Sequence, residues 1–267
     1  MHAHIDSPPE ELDPHIRRFY LHAMSLLDEA GIRYLVGGAY AMAYHAEIVR
    51  HTKDFDVFVR PEDAQPTLDV LRDGGYASEM TFPHWLGKAF DGTAFVDVIF
   101  RSGNGLCNVD EEWFINAIDG EALGRPVKIC PAEEVIWSKS FVQERERFDG
   151  ADIAHLLLAR GNRLDWPRLF RRFQGHERVL LSHLIMYGYI YPSEARRVPP
   201  WVIDRLIATV RDEPATTEKV CRGTFLSRQQ YLVDVRERGF RDARLEPQGP
   251  LSAETITHWT MAIEKMK

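Results

Sequence analysis

Apolar residues recur at helical spacing over residues 10–30, where Ile16, Phe19, Tyr20, Ala23, Leu26 and Leu27 share one side and Gly31 follows as a stop. The period then changes. Tyr34-Leu35-Val36 reads as a short strand, Gly37-Gly38 as a tight turn, and Ala39 to His45 as a second helix. Asp54-Phe55-Asp56-Val57-Phe58-Val59 alternates polar and apolar positions, which predicts a strand with one covered face. Pro61 to Leu71 reads as a helix closed by Gly74-Gly75, and Ala94 to Phe100 and Pro126 to Ile129 as further strands. The fold class expected for this half is α/β (α+β), a small mixed twisted sheet flanked by helices.

From Pro131 onward the alternation disappears. Helices are predicted over 132–147, 152–160, 165–173, 177–188, 200–211 and 253–266, separated by Gly, Pro and Asn. The chain therefore divides into an α/β domain over 1–130 and a C-terminal all-helical domain over 131–267. Trp166, Trp201 and Trp259 fall in helical segments and are read as packing residues. Charge divides at the same place: residues 1–130 carry a net −10 and residues 131–267 a net +3, with 18 arginines among the 22 basic residues of the second half. An Arg excess reads first as a solvated helical surface; it also suits phosphate or carboxylate contacts and mildly favours a phosphate-bearing acceptor such as tRNA.

An apolar content of 45% in 267 residues excludes a disordered chain. No apolar run approaches the roughly 20 residues of a bilayer span, and the first residues lack a basic and apolar leader pattern, so a cytoplasmic protein with no membrane partner is expected. Three widely spaced cysteines, Cys107, Cys130 and Cys221, make neither a disulfide framework nor a zinc knuckle. His45 and His51 have no metal-ligand spacing and are read as structural.

The chemistry concentrates in three acids. Strand side chains alternate, so Asp54 and Asp56 project from one face, opposite the apolar Phe55, Val57 and Val59. Asp97 interrupts the apolar strand Phe95-Val96-Asp97-Val98-Ile99-Phe100, where an unpaired carboxylate is costly. Three carboxylates on neighbouring strands suit Mg²⁺, a hard cation that takes some oxygens from protein and others from phosphate. Gly37-Gly38, between a strand and a helix, permits close approach of an anion to helix N-terminal N–H groups.

In this order, Gly37-Gly38, fifteen residues, Asp54-x-Asp56, then a lone Asp97, the chain resembles the nucleotidyltransferase superfamily that includes the DNA polymerase beta-like enzymes. The run Arg50-His51-Thr52-Lys53-Asp54-Phe55-Asp56 is similar to the form found in its antibiotic and toxin-type members, and the likeness covers roughly residues 33–100. The resemblance implies transfer of a nucleoside monophosphate from a nucleoside triphosphate such as ATP to a hydroxyl of a small molecule, a protein or an RNA, with release of pyrophosphate. It implies two Mg²⁺ ions, or Mn²⁺, held by Asp54, Asp56 and Asp97, and a nucleotide contacted by Gly37, Gly38, Thr52 and Lys53. A fainter likeness to the abortive-infection branch at Pro131-Ala132-Glu133-Glu134 and the residues after it implies that Lys139 meets the triphosphate and Asp152 orients Lys139 or the acceptor. Two other readings are a non-catalytic binding or regulatory module on the same fold, as in a toxin–antitoxin pair, and a metal-dependent glycosyltransferase. The first gives no reason to keep repelling carboxylates together, and the second leaves Gly37-Gly38 unexplained.

Overall fold

In the computed structural model residues 12–49 and 54–261 are described, and they form two compact units. The first runs up to Gly103 and resumes over Asn108–Pro131; the second takes Asn104–Cys107 and the chain from Ala132 onward.

The first unit opens with α1 (Pro14–Glu29). Asp13 caps it by accepting the N–H of His15 at 2.7 Å, and Pro14 occupies a position that has no intrahelical N–H bond to lose. The stripe read from its spacing is the buried one: Phe19, Tyr20, Ala23, Met24 and Leu27. β1 (Leu35–Val36) passes through Gly37 into α2 (Gly38–Ala46), and β2 (Asp54–Phe58) leads by a 3₁₀ turn at Pro61–Asp63 into α3 (Ala64–Asp73). Three antiparallel-linked strands follow, β3 (Ala77–Phe82), β4 (Leu86–Asp91) and β5 (Ala94–Ile99). The short α4 (Glu111–Ile115) precedes a hairpin of β6 (Ile118–Ala122) and β7 (Arg125–Ile129).

These strands make one seven-stranded mixed sheet in the order β3-β4-β5-β2-β1-β7-β6. β2 and β5 lie side by side in parallel, and β1 runs antiparallel to β2 and parallel to β7. One face is core: Phe55, Val57, Val96 and Val98 are all buried. Tyr20 stacks on Phe55 with ring centroids 5.1 Å apart, and Tyr40 meets the same ring edge-on, so α1 and α2 cover this face.

Strands β3, β4 and β6 do not stand out in the hydrophobic pattern. β3 and β6 are the two edges of the sheet, where half-polar sequences such as Ala77-Ser78-Glu79-Met80-Thr81-Phe82 suffice. In β4 the weak signal comes from Gly87, where a Cβ would lie 2.6 Å from Leu68 Cδ1; the residue is small so that α3 can pack there.

The second unit is helical apart from one short strand pair. It contains α5 (Ala132–Lys139), α6 (Gly150–Arg160), α7 (Trp166–Arg172), α8 (Glu177–Ile190), a 3₁₀ turn at Pro192–Arg197 and α9 (Pro200–Asp212). Beyond these come β8 (Val220–Cys221), α10 (Leu232–Arg236), β9 (Arg241–Asp242), which pairs in parallel with β8, and α11 (Ala253–Met261). The helix expected over 132–147 is shorter, ending at Lys139. The run Glu144-Arg145-Glu146-Arg147 offers no apolar side chain to bury, and the backbone turns back instead, with Gln143 bridging Phe148. Trp166 and Trp259 are buried as expected. Trp201 is not: it is 46% exposed and stands against the ring of Phe170. Cys107, Cys130 and Cys221 form no disulfide, and among the described residues no helix is long and apolar enough to cross a membrane.

A buried ionic cluster links α5 to α7. Arg168 Nη2 meets Glu133 Oε2 at 2.5 Å, Arg172 Nε meets Glu134 Oε1 at 3.2 Å, and the Arg172 guanidinium lies over the Trp137 ring. Burial nevertheless dominates at Glu134 and pushes its carboxyl up to about 7, despite the neighbouring Arg168 and Arg172. A folded value above the ordinary 4.5 means that the folded chain binds the extra proton between these limits. This contribution to stability is complete below about pH 4.5 and is lost as pH rises through about 7. Glu134→Gln, which keeps the shape without the titration, is expected to flatten the pH dependence of unfolding between about pH 4.5 and 7 by a slope of up to about 1.4 kcal/mol per pH unit, read by urea denaturation.

Candidate active site

The face of the sheet opposite the core carries the three acids. Asp54, Asp56 and Phe58 project from β2 to one side while Phe55 and Val57 are buried on the other, as the alternation predicts. β5 alternates in the same way, so Asp97 shares its face with Phe95 and Ile99 and is not embedded among Val96 and Val98. Its side chain keeps 14% exposure, which differs from the enclosed hydrocarbon setting suggested by its sequence neighbours.

The parallel pairing of β2 with β5 sets the register. Asp54 lies opposite Phe95 and Asp56 directly opposite Asp97. The three carboxylates each offer an oxygen, and these atoms all lie within 4.8 Å of one another. The donor set is all oxygen, anionic and half-buried, and it fits a hard divalent cation. Tyr20 registers the same concentration of charge from α1. Burial raises its hydroxyl pKa most, and Tyr40, Asp54, Asp56 and Asp97 raise it further.

The glycines stand where the acids require them. Gly38 is the first residue of α2, with φ +52°, and a Cβ there would fall 1.7 Å from Asp56 Oδ2. Only glycine meets both the left-handed backbone and the carboxylate pressed against it. A Cβ at Gly37 would collide with the Phe58 ring at 2.2 Å, and the Gly37 N–H donates to the Asp56 carbonyl at 3.0 Å. The turn is thus fastened to β2 at the position of the second acid. Thr52 and Lys53 lie outside the described residues, as does His51. His45 is buried with its Nε2 2.7 Å from the Cys130 carbonyl oxygen, a structural role.

In the second unit Lys139, the last residue of α5, places Nζ 2.9 Å from Asp149 Oδ2 and 2.8 Å from Asp152 Oδ2. Arg147 reaches Asp149 through Nε and Nη2, both at 3.0 Å. Burial alone would raise the Asp149 carboxyl, but Arg147 and Lys139 together hold it below the usual carboxylate range. Lys139 and Asp152 are therefore partners in one ion-pair cluster.

Sequence reasoning missed Lys88. It stands on β4 opposite Asp97, with Nζ 2.5 Å from Asp97 Oδ1. The available signal was Asp91-Gly92, a hairpin dipeptide whose turn pairs Asp91 with Ala94 and so carries Lys88 to the level of Asp97.

Residues 20–87 match the family model described as aminoglycoside-2''-adenylyltransferase. No curated protein matches the chain. Among solved structures, the solution structure of the antibiotic-resistance factor ANT(2'')-Ia aligns at 18% identity and a TM-score of 0.44, over 64% of this chain and 98% of that one. The lincomycin-bound lincosamide antibiotic adenylyltransferase LnuA aligns at 14% identity and a TM-score of 0.38, over 52% and 94%. An antigenic nucleotidyltransferase-like protein from Paracoccidioides brasiliensis aligns at 14% identity and a TM-score of 0.44, over 70% and 94%. Over residues 20–87 the chain is therefore similar to an antibiotic-type adenylyltransferase family. The family match itself lies in the first unit and spans Gly37, Gly38, Asp54 and Asp56.

Gly38→Ala tests the link between turn and acid. It is expected to lower the urea midpoint more than Gly92→Ala, where φ is also positive at +62° but a Cβ meets nothing within 4 Å. The control carries only the backbone cost of about 1–2 kcal/mol, whereas the site variant must also displace Asp56. Equal midpoints for the two variants would show that Asp56 is not held against the turn.

Proposed function

We propose that the chain is a divalent-metal-dependent nucleotidyltransferase that moves a nucleoside monophosphate, with ATP as donor, to a hydroxyl of a small molecule and releases pyrophosphate. The observation that carries this reading is the in-register juxtaposition of Asp56 with Asp97, beside Asp54 and against Gly38. Asp54, Asp56 and Asp97 would hold Mg²⁺, two ions being expected and Mn²⁺ an alternative; bound there, the metal would neutralise phosphate charge and acidify the acceptor hydroxyl.

The chain's own residues supply the rest. Asp97 is assigned the proton of the attacking hydroxyl. Gly37 and Gly38 are assigned to the nucleotide, at the start of α2, where backbone N–H groups favour an anion. Thr52 and Lys53 are assigned to the nucleotide. Lys139 is assigned to the triphosphate and Asp152 to holding Lys139, a reading supported by their 2.8 Å ion pair. Charge stabilisation and positioning account for most of the rate in such a transfer.

A small-molecule acceptor bearing amines is favoured over RNA. The matched family is described by an aminoglycoside, and residues 1–130 carry a net −10, which suits a polycation and repels a polyanion. Consumption of a nucleoside triphosphate with Mg²⁺ fits work in the cytoplasm.

The test is incubation of the purified chain with each labelled triphosphate, Mg²⁺ and a panel of aminoglycosides and lincosamides. Label is expected to pass from ATP to an aminoglycoside. Asp56→Asn is expected to lower the rate at least about a thousandfold. Mg²⁺-dependent pyrophosphate release that survives in Asp56→Asn would overturn the assignment.

A further inference from the structure

Lys88 has no part in the reading above, yet it touches the acid trio. β4 and β5 pair antiparallel with Lys88 opposite Asp97, and β5 pairs with β2 so that Asp97 faces Asp56. Glu79 of β3 lies opposite Lys88 in turn. The sheet thus carries one cross-strand row, Glu79, Lys88, Asp97 and Asp56, with the cation inserted between acids. The Lys88 ammonium is held from two directions: Nζ lies 2.5 Å from Asp97 Oδ1 and 3.9 Å from the centroid of the Phe95 ring. Phe95 is two residues from Asp97 on the same face, so the aromatic ring and the carboxylate that fix the amine come from one strand.

We infer that Lys88 is a positioning residue for the trio, one that fixes the rotation of the Asp97 carboxylate through Oδ1 and, as a fixed positive charge, weakens the trio's hold on divalent cations. The inference rests on the nucleotidyl-transfer reading of the same acids. Two properties separate it from an ordinary cross-strand ion pair. A carboxylate engaged at one oxygen has its second oxygen oriented, and geometry of this kind governs rate more than binding. A cation paired with one of three clustered carboxylates also offsets part of the cluster's charge, so its removal strengthens the attraction for a divalent ion. Loss of Lys88 therefore moves metal affinity and turnover in opposite directions, which general damage to the fold does not do.

The experiment compares the full-length chain with Lys88→Met and Lys88→Arg. Mn²⁺ binding without nucleotide is followed by the electron paramagnetic resonance signal of free Mn²⁺, and kcat and KM for ATP are measured separately. Lys88→Met is expected to bind Mn²⁺ about tenfold more tightly while kcat falls at least about tenfold with KM little changed. Lys88→Arg keeps the charge and is expected to return Mn²⁺ affinity to within about threefold of the parent while recovering part of kcat. Unchanged or weaker Mn²⁺ binding in Lys88→Met, or a parental kcat, would overturn the inference. Thermal melts identify a folding failure, in which case Lys88→Gln is held to the same two readouts. Asp56→Asn keeps the underlying reading separate: if it binds Mn²⁺ as the parent does and the parent transfers no nucleotide, the nucleotidyl-transfer assignment fails, whatever Lys88→Met shows.

Discussion

Repulsion among three carboxylates is the constraint around which the first unit is arranged. Left to themselves, Asp54, Asp56 and Asp97 would separate, and what prevents this is backbone hydrogen bonding between β2 and β5, which lock Asp56 and Asp97 into one register. The opposite faces of the same strands supply the compensation, since Phe55, Val57, Val96 and Val98 are buried beneath α1 and α2. A one-residue slip of either strand would turn acids into the core and apolar residues into water, so packing and chemistry enforce the same alignment.

Much of this was legible along the chain. The alternation in Asp54-Phe55-Asp56-Val57 fixed which side of β2 is polar, and the spacing of Phe19, Tyr20, Ala23 and Leu27 marked the face of α1 that covers the sheet. The setting of Asp97 was less so: its neighbours Phe95 and Ile99 look like core in the sequence, yet they share its partly exposed face. Apolar residues beside a polar site are indistinguishable by type from those in the interior. Edge strands were hidden for a related reason. β3 and β6 bury little of their length, and their hydrophobic signal is correspondingly thin.

The helical half was legible as helices but not as chemistry. Alternating charge in Glu144-Arg145-Glu146-Arg147 is compatible with a helix on local preference, yet α5 ends at Lys139 and the chain turns back through a bridge between Gln143 and Phe148. The Lys139, Asp149, Asp152 and Arg147 cluster depends on that early ending, because the returning segment brings Asp149 and the first turn of α6 to the lysine. Long-range pairings such as Glu134 with Arg172 leave no local signature at all, being 38 residues apart.

The hairpin that joins β4 to β5 couples a cation to an acid only nine residues away. Such a short connection closes at little entropic cost, so Lys88 and Asp97 meet as soon as the hairpin forms and before the more distant strands need be aligned. A transplant of this ribbon into another sheet would therefore carry the acid with its own counter-charge already in register.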